Sequence, residues 1–244
     1  LDTTLDKLLG GRVQLRQPKT GYRAAVDPVL LAAAVTARPG QTVLELGCGV
    51  GAAMLCLAVR VKGLEITGIE LQEDYLTLAQ LNTDYHTENA TFHLKQSDAR
   101  HLSQDIPANS FDQVMANPPY HDAQAYDPGD DDGKTTAHAM SATDLAAWVK
   151  TAHGRLQHRG VLTMIYRADG LPELLTAMAG KFGGITVLPL WPKDGVAAKR
   201  VLVRGSKDSN APFVLLGGLA LHGKNGDYMP DIQAILRDAT AIAW

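Results

Sequence analysis

Cysteine is scarce: Cys48 and Cys56 are the only two in 244 residues. Both fall in one glycine-rich stretch, which reads as small buried packing residues in a reducing compartment rather than a disulfide or a metal pair. The eight histidines form no ligand-like cluster, so no metal is expected. No apolar run approaches membrane-spanning length, and Leu1-Asp2-Thr3-Thr4 does not open a signal peptide. A cytoplasmic protein with no membrane partner is the expectation. Positive charge is also lacking overall, since the formal net charge is −3, so composition does not advertise a nucleic-acid binder. Internal repeats and real linkers are absent too.

What the chain has is apolar material, 45% of its residues, enough for one α/β domain with a full core over residues 1–244. An N-terminal arm of residues 1–26, with a short apolar pair at Val13 and Leu15, leads into a helix from about Pro28 to Thr36. Asp27 is expected at its N-cap and Pro28 at its first helical position. Strands near 42–46, 65–70, 90–96, 111–117, 160–167 and 184–190 alternate with helices near 51–62, 72–87, 143–157 and 170–182. That alternation specifies a parallel sheet covered on both faces. The strand-like runs Arg200 to Arg204 and Phe213 to Leu221, with only turn residues between them, predict an antiparallel partner at the end of the sheet. A last helix spans about Asp231 to Ala239. The irregular segment 121–142, with Asp130-Asp131-Asp132-Gly133, is expected to be a lid or substrate loop.

The chemistry lies at the strand ends. Thr42-Val43-Leu44-Glu45-Leu46 runs into Gly47-Cys48-Gly49-Val50-Gly51 and then a helix, an order that brings a backbone edge and a helix start against a nucleotide-like ligand. The next strand ends in Glu70, placed to accept from both ribose hydroxyls, and the third leads to Asp98, placed to meet the exocyclic amine of an adenine. Each carboxylate has a plainer reading: Glu45 as a solvated strand-end charge, Glu70 and Asp98 as helix or turn caps. An acidic residue before a G-x-G-x-G turn suits the ammonium and sulfonium of S-adenosylmethionine better than a pyrophosphate, with a nicotinamide dinucleotide as the weaker alternative.

A fourth strand, Phe111 to Ala116, empties into Asn117-Pro118-Pro119-Tyr120. The side-chain carbonyl of Asn117 and the backbone carbonyl of Pro118 can accept from a planar amine and draw its delocalised lone pair toward a nucleophilic geometry. The prolines fix φ and carry no N–H, and Tyr120 offers a π-face for stacking. The alternative is an ordinary Pro-Pro turn closing a strand.

These residues resemble the ordered motifs of class I S-adenosylmethionine-dependent amino-methyltransferases. More narrowly, Gly21-Tyr22-Arg23-Ala24-Ala25-Val26-Asp27-Pro28-Val29-Leu30-Leu31 and Lys199-Arg200-Val201-Leu202-Val203 resemble the bacterial tRNA (adenine-N6)-methyltransferase family that modifies a valine tRNA. The resemblance covers about residue 8 to Arg237. It implies a Rossmann-like, seven-stranded methyltransferase sheet with helices on both faces and an antiparallel strand at the C-terminal edge. It implies S-adenosylmethionine bound by Asp27, Glu45, Gly47, Cys48, Gly49, Gly51, Glu70, Leu71, Asp98, Ala99 and Asn117. Asn117, Pro118, Pro119 and Tyr120 would serve the acceptor amine, most simply adenine N6 in tRNA. A ribosomal RNA guanine-N2 enzyme, a protein glutamine-N5 enzyme and a non-catalytic nucleotide- or RNA-binding protein are the rivals.

An RNA partner would need basic surface. Residues 193–207 carry Lys193, Lys199, Arg200, Arg204 and Lys207 against Asp194 alone, and the arm adds Arg12, Arg16, Lys19 and Arg23. The expectation is that Lys199, Arg200 and the N-terminal basic residues track a phosphate backbone. The competing reading is that these charges solubilise the ends of a sheet.

Overall fold

Apolar residues alternate along each central strand and divide the interior in two, because successive side chains of a strand point to opposite faces. In β3 (Thr42–Leu46), Val43 faces one core, and Leu44 and Leu46 face the other. The computed structural model describes residues 2–21, 23–119 and 141–244. On one face of the sheet pack α1 (Asp27–Ala34), α2 (Ala52–Arg60), α3 (Glu73–Asp84) and α6 (Pro230–Asp238). The other face is covered by α4 (Ala142–Arg155) and α5 (Leu171–Met178).

The sheet contains nine strands. From one edge run β5 (Ala90–Gln96), β4 (Leu64–Glu70), β3, β6 (Phe111–Ala116) and β7 (Leu156–Arg167), all parallel. Next comes β9 (Arg200–Lys207), antiparallel to β7 and to its other neighbour, β8 (Phe182–Lys193). The antiparallel strand therefore lies inside the sheet, between β7 and β8. Two short strands, β10 (Val214–Leu215) and β11 (Leu219–His222), extend the outer side of β8 and run parallel to it. The expected tail strand is thus a pair of short strands, and neither is antiparallel to its neighbour. Seven strands make the Rossmann-like core; β10 and β11 add to it.

The N-terminal arm is more ordered than its sequence pattern suggests. It forms a separate two-stranded hairpin of β1 (Thr3–Leu8) and β2 (Val13–Pro18), with Leu8 opposite Val13. Val13 and Leu15 are fully buried and join the core around α1 and α2. Asn82 of α3 holds β2 in place: it accepts from the Arg16 N–H at 2.7 Å and donates to the Arg16 carbonyl at 3.0 Å and to the Val50 carbonyl at 2.9 Å. One amide side chain thereby ties the hairpin to the end of the glycine turn.

The start of α1 differs from expectation by one residue. Val26 precedes the helix and no side chain caps it; Asp27 is already helical. Its carboxylate instead accepts from Arg200 Nε at 3.1 Å. Among the described residues no helix is long and apolar enough to cross a membrane. Segment 121–140 lies outside the described residues, and with it the body of the expected lid or substrate loop.

Candidate active site

Parallel pairing sets the ends of β6, β3 and β4 side by side. Leu46 is opposite both Ile69 and Ala116, and Glu70 is opposite Gln96 of β5. Chain order reverses at β3, whose two neighbours are β4 and β6, so a crevice opens beyond these strand ends. Gly47 and Asn117 are the first residues past two adjacent strands. Together with Glu45, Cys48, Gly49 and Pro28 they line one cavity.

The turn after β3 is shaped by what its glycines touch. Gly47, at φ +66°, lies against the Trp148 ring, and a Cβ there would fall 2.5 Å from Cη2. Gly49, at φ +54°, would direct a Cβ into open space. Its bare backbone is the part of the turn that a ligand can approach closely. Gly51, at φ +88°, begins α2.

Glu45 is 2% exposed, which removes the solvated strand-end reading. Its Oε2 accepts from the Met54 N–H at 3.0 Å. Burial raises its pKa well above the ordinary carboxylate value, and the neighbouring Glu70 adds to the rise. Burial, with the fields of the same two carboxylates, also raises the Cys48 thiol. Cys48 and Cys56 are both free and buried. Glu70 is 8% exposed and clamped at both oxygens, Oε2 accepting from Gly49 N–H at 2.9 Å and Oε1 from Gln72 N–H at 2.8 Å. The glycine turn and the end of β4 are thereby fixed to each other. Each carboxylate oxygen has a second lone pair.

Asp98, just past β5, accepts from the backbone N–H and side chain of Arg100, and this pairing lowers its pKa. The turn-cap reading of Asp98 thus holds as a local fact. Arg100 also bonds Asp144, which completes a capping box with Ser141 at the start of α4. Ala99 is buried and Leu71 exposed. Asn117 is half-buried, Pro118 buried and Pro119 exposed; Tyr120 lies outside the described residues. Asp27 sits at the first turn of α1, next to the cavity-lining Pro28.

An acidic group, Glu45, meets bare backbone here, and among the described residues no Lys or Arg lines the cavity. That donor set suits a cationic, hydroxyl-bearing ligand such as S-adenosylmethionine and opposes a pyrophosphate. Among the described residues no group of three or more His, Cys, Asp or Glu could hold a metal ion.

The expected basic surface is largely spoken for. Arg23 pairs with Asp6 at 2.5 Å, Lys19 with Asp2 at 2.7 Å and Arg12 with Asp238 at 3.8 Å, and Arg16 reaches Thr3. Arg200 is held by Asp27, and Lys207 is 8% exposed with its ammonium bonded to Asn109 Oδ1 and the carbonyls of His153 and Leu156. Arg12, Lys19, Lys193 and Lys199 remain exposed. Sequence reasoning missed Asn82, whose partners are main-chain atoms in distant segments, and Arg100, whose role shows only once the turn after β5 meets the start of α4.

Comparison with known proteins follows the same lines. The family model described as "Methyltransferase small domain" matches residues 25–189. The tRNA1(Val) (adenine(37)-N6)-methyltransferase of Pasteurella multocida is 26% identical over 224 residues, covering 90% of each chain. A predicted O-methyltransferase from Agrobacterium tumefaciens superposes with a TM-score of 0.75 at 23% identity, over 89% of this chain and 99% of the other. A Thermus thermophilus 16S rRNA N2 G1207 methyltransferase, in complex with AdoMet and guanosine, gives 0.56 at 21% identity, over 84% and 50%.

Proposed function

The chain belongs to the methyltransferase small domain family and uses S-adenosylmethionine; from that footing we propose that the amine it methylates is N6 of an adenine in a tRNA. The observation that carries this reading is the shared cavity of Asn117, Glu45, Gly47 and Gly49, which joins an amine-orienting amide to an acidic glycine turn. Similarity to the Pasteurella tRNA enzyme over nearly its full length supports the choice of base and RNA.

When bound, S-adenosylmethionine supplies an electrophilic methyl group on a positively charged sulfur. In this reading Glu45 provides negative charge behind the turn, and the bare backbone of Gly47 and Gly49 gives close approach. Cys48 and Gly51 shape the same turn. Glu70, already anchored by two backbone N–H groups, keeps lone pairs for ribose hydroxyls. Asp98, with Leu71 and Ala99 beside it, faces the adenine end, and Asp27 bounds the cavity through Pro28. Asn117 Oδ1 and the Pro118 carbonyl accept hydrogen bonds from the two amine N–H groups and set the nitrogen lone pair toward its target. Pro119 stiffens that turn, and Tyr120 stacks the base. No side-chain base is needed, because a methylated amine nitrogen is acidic enough to lose its proton to water.

A base inside a helix cannot reach such a cavity, so the target is an unpaired adenine splayed from its loop. Phosphate contacts on the rim fall to Lys193 and Lys199, since Arg200 is committed to Asp27. The test is methyl transfer from labelled cofactor to unmodified tRNA transcripts, with the product base identified by nuclease digestion. Methylation of N6-adenine in a tRNA is expected; labelling of guanine N2, or of a protein amide alone, would replace the substrate while leaving the chemistry intact.

A further inference from the structure

Away from the glycine turn, at the opposite end of the strands, lies a second hollow of about 360 Å³. That volume is within the range of pockets that hold small ligands. Its floor is the antiparallel pair β9 and β8. Arg204 stands opposite Thr186, and Ser206 is two residues further along the same side of β9. Its wall is the chain just after β9, where Ser209, Ala211 and Pro212 line the space.

The wall is built, not incidental. Pairing of β8 with β9 is irregular between Gly183 and Thr186. A Cβ on Gly183 would fall 1.8 Å from the Ser209 carbonyl oxygen, so only glycine lets the segment approach. Gly184, at φ +58°, donates its N–H to the Ala211 carbonyl at 2.8 Å. Bulges of this kind re-aim side chains and recur beside functional sites. Thr36, just past α1, lines the same hollow.

Among the described residues, Arg204 is the one charged residue lining it, and no Asp or Glu does. Burial depresses the Arg204 pKa. The Trp244 ring lies 4.5 Å from its Cζ and is itself fixed by an indole N–H bond to the Ala34 carbonyl at 2.7 Å. With one face of the guanidinium on the indole, the N–H edge is left for a polar partner. The Ser209 hydroxyl accepts from the Ala211 N–H, which leaves its proton to donate elsewhere. A guanidinium edge and hydroxyl donors, with no acidic side chain among them, suit a tetrahedral oxyanion.

We infer that this hollow is a phosphoryl-group site, with Arg204 as the charged anchor and Ser206, Ser209 and Thr36 as hydroxyl donors. The phosphoryl group belongs either to a polynucleotide backbone or to a small phosphate ester. The site rests on its own geometry; only the polynucleotide source rests on the tRNA reading above.

The test is a titration of the isotope-labelled full chain with inorganic phosphate, following the Trp244 indole N–H and the backbone amides of residues 204–211 by NMR. Saturable shifts confined to these groups are expected. Arg204→Gln should weaken binding about ten-fold or more, the loss of one charge-assisted contact. Ser206→Asp places a carboxylate beside Arg204 and should abolish the shifts while keeping the guanidinium. Thermal melts of both variants separate a lost site from a lost fold. Absence of saturable shifts in the unaltered chain, or equal shifts in a folded Ser206→Asp variant, would overturn the inference. In a second arm, Ser206→Asp should lower the salt slope of tRNA affinity by about 0.7–0.9 if one backbone phosphate sits there. An unchanged slope alongside lost phosphate binding assigns the site to a small ester. Failure of tRNA methylation would refute the substrate reading without touching the phosphate titration.

Discussion

Arg200 at the head of β9 donates Nε to Asp27 Oδ2 across 3.1 Å, joining two residues 173 positions apart in sequence. Their side chains are 19% and 21% exposed, so the pair is largely withdrawn from water. It ties the strand next to the exposed Lys199 to the helix that carries the cavity-lining Pro28.

Breaking that tie should be costly from either side. Asp27→Asn and Arg200→Gln are each expected to lower unfolding stability by about 1–3 kcal/mol, because each removes a charge-assisted bond in a poorly hydrated place. The double variant should cost less than the sum. Urea unfolding of the three variants checks it; strict additivity would mean that the two groups do not couple.

Asn117→Ala should cut turnover by about a hundred-fold or more, while S-adenosylmethionine affinity changes little, since the amide is assigned to the acceptor and not to the cofactor. Calorimetric titration alongside single-turnover rates separates the two effects. Near-normal turnover would remove the amine-orientation mechanism.

Glu45 gives a pH signature. Burial keeps its carboxyl protonated well above the ordinary value of 4.5. A cation favours the ionised form, so binding should expel a proton at pH values between the pKa of Glu45 in the complex and its raised value in the free protein. Affinity for S-adenosylmethionine should rise with pH from near that ordinary value up to the raised one, then flatten. The same shift makes neutral Glu45 a source of stability in the free protein below the ordinary value, lost as pH rises through the raised one. In Glu45→Gln both dependences should shrink. Titration in buffers of different ionisation heat measures the proton directly, and no net release at any pH would refute the assignment.

Gly47→Ala should destabilise the fold by about 1–3 kcal/mol, through a left-handed backbone and a forced shift of Trp148. Gly63→Ala is the control: it has φ +75° but meets nothing within 4 Å, and should cost only the backbone strain of about 1 kcal/mol. Equal denaturation midpoints for the two would show that the Trp148 contact yields freely.

The central sheet was legible because its strands are strand-like runs closed by turns, and β3 and β5 fall on the bounds read from those runs. Glu45 and Glu70 were legible for the same reason, being the last polar residues of their strands, and Asp98 follows the end of β5 by two residues. The hairpin was not. β1 mixes Asp6 and Lys7 with Leu5 and Leu8, and its stability comes from partners such as Asn82, 66 residues from Arg16. The burial of Lys207 within the basic run 193–207 was not legible, because formal charge says nothing of pairing: its ammonium is spent on two carbonyls and an amide. The position of β9 between β7 and β8 was also hidden, since periodicity identifies strands and not their neighbours.

Among the described residues, the hydrogen bonds of the Asn82 side chain go to main-chain atoms of Arg16 and Val50. The tolerance for replacement at its two ends is therefore unequal. Any side chain compatible with the strand can occupy position 16, and position 50 needs only its carbonyl, whereas position 82 demands a short group that both accepts and donates. Aspartate offers no donor and leucine offers neither, so a single exchange there would loosen hairpin and turn together, while many exchanges at the gripped positions would pass unnoticed.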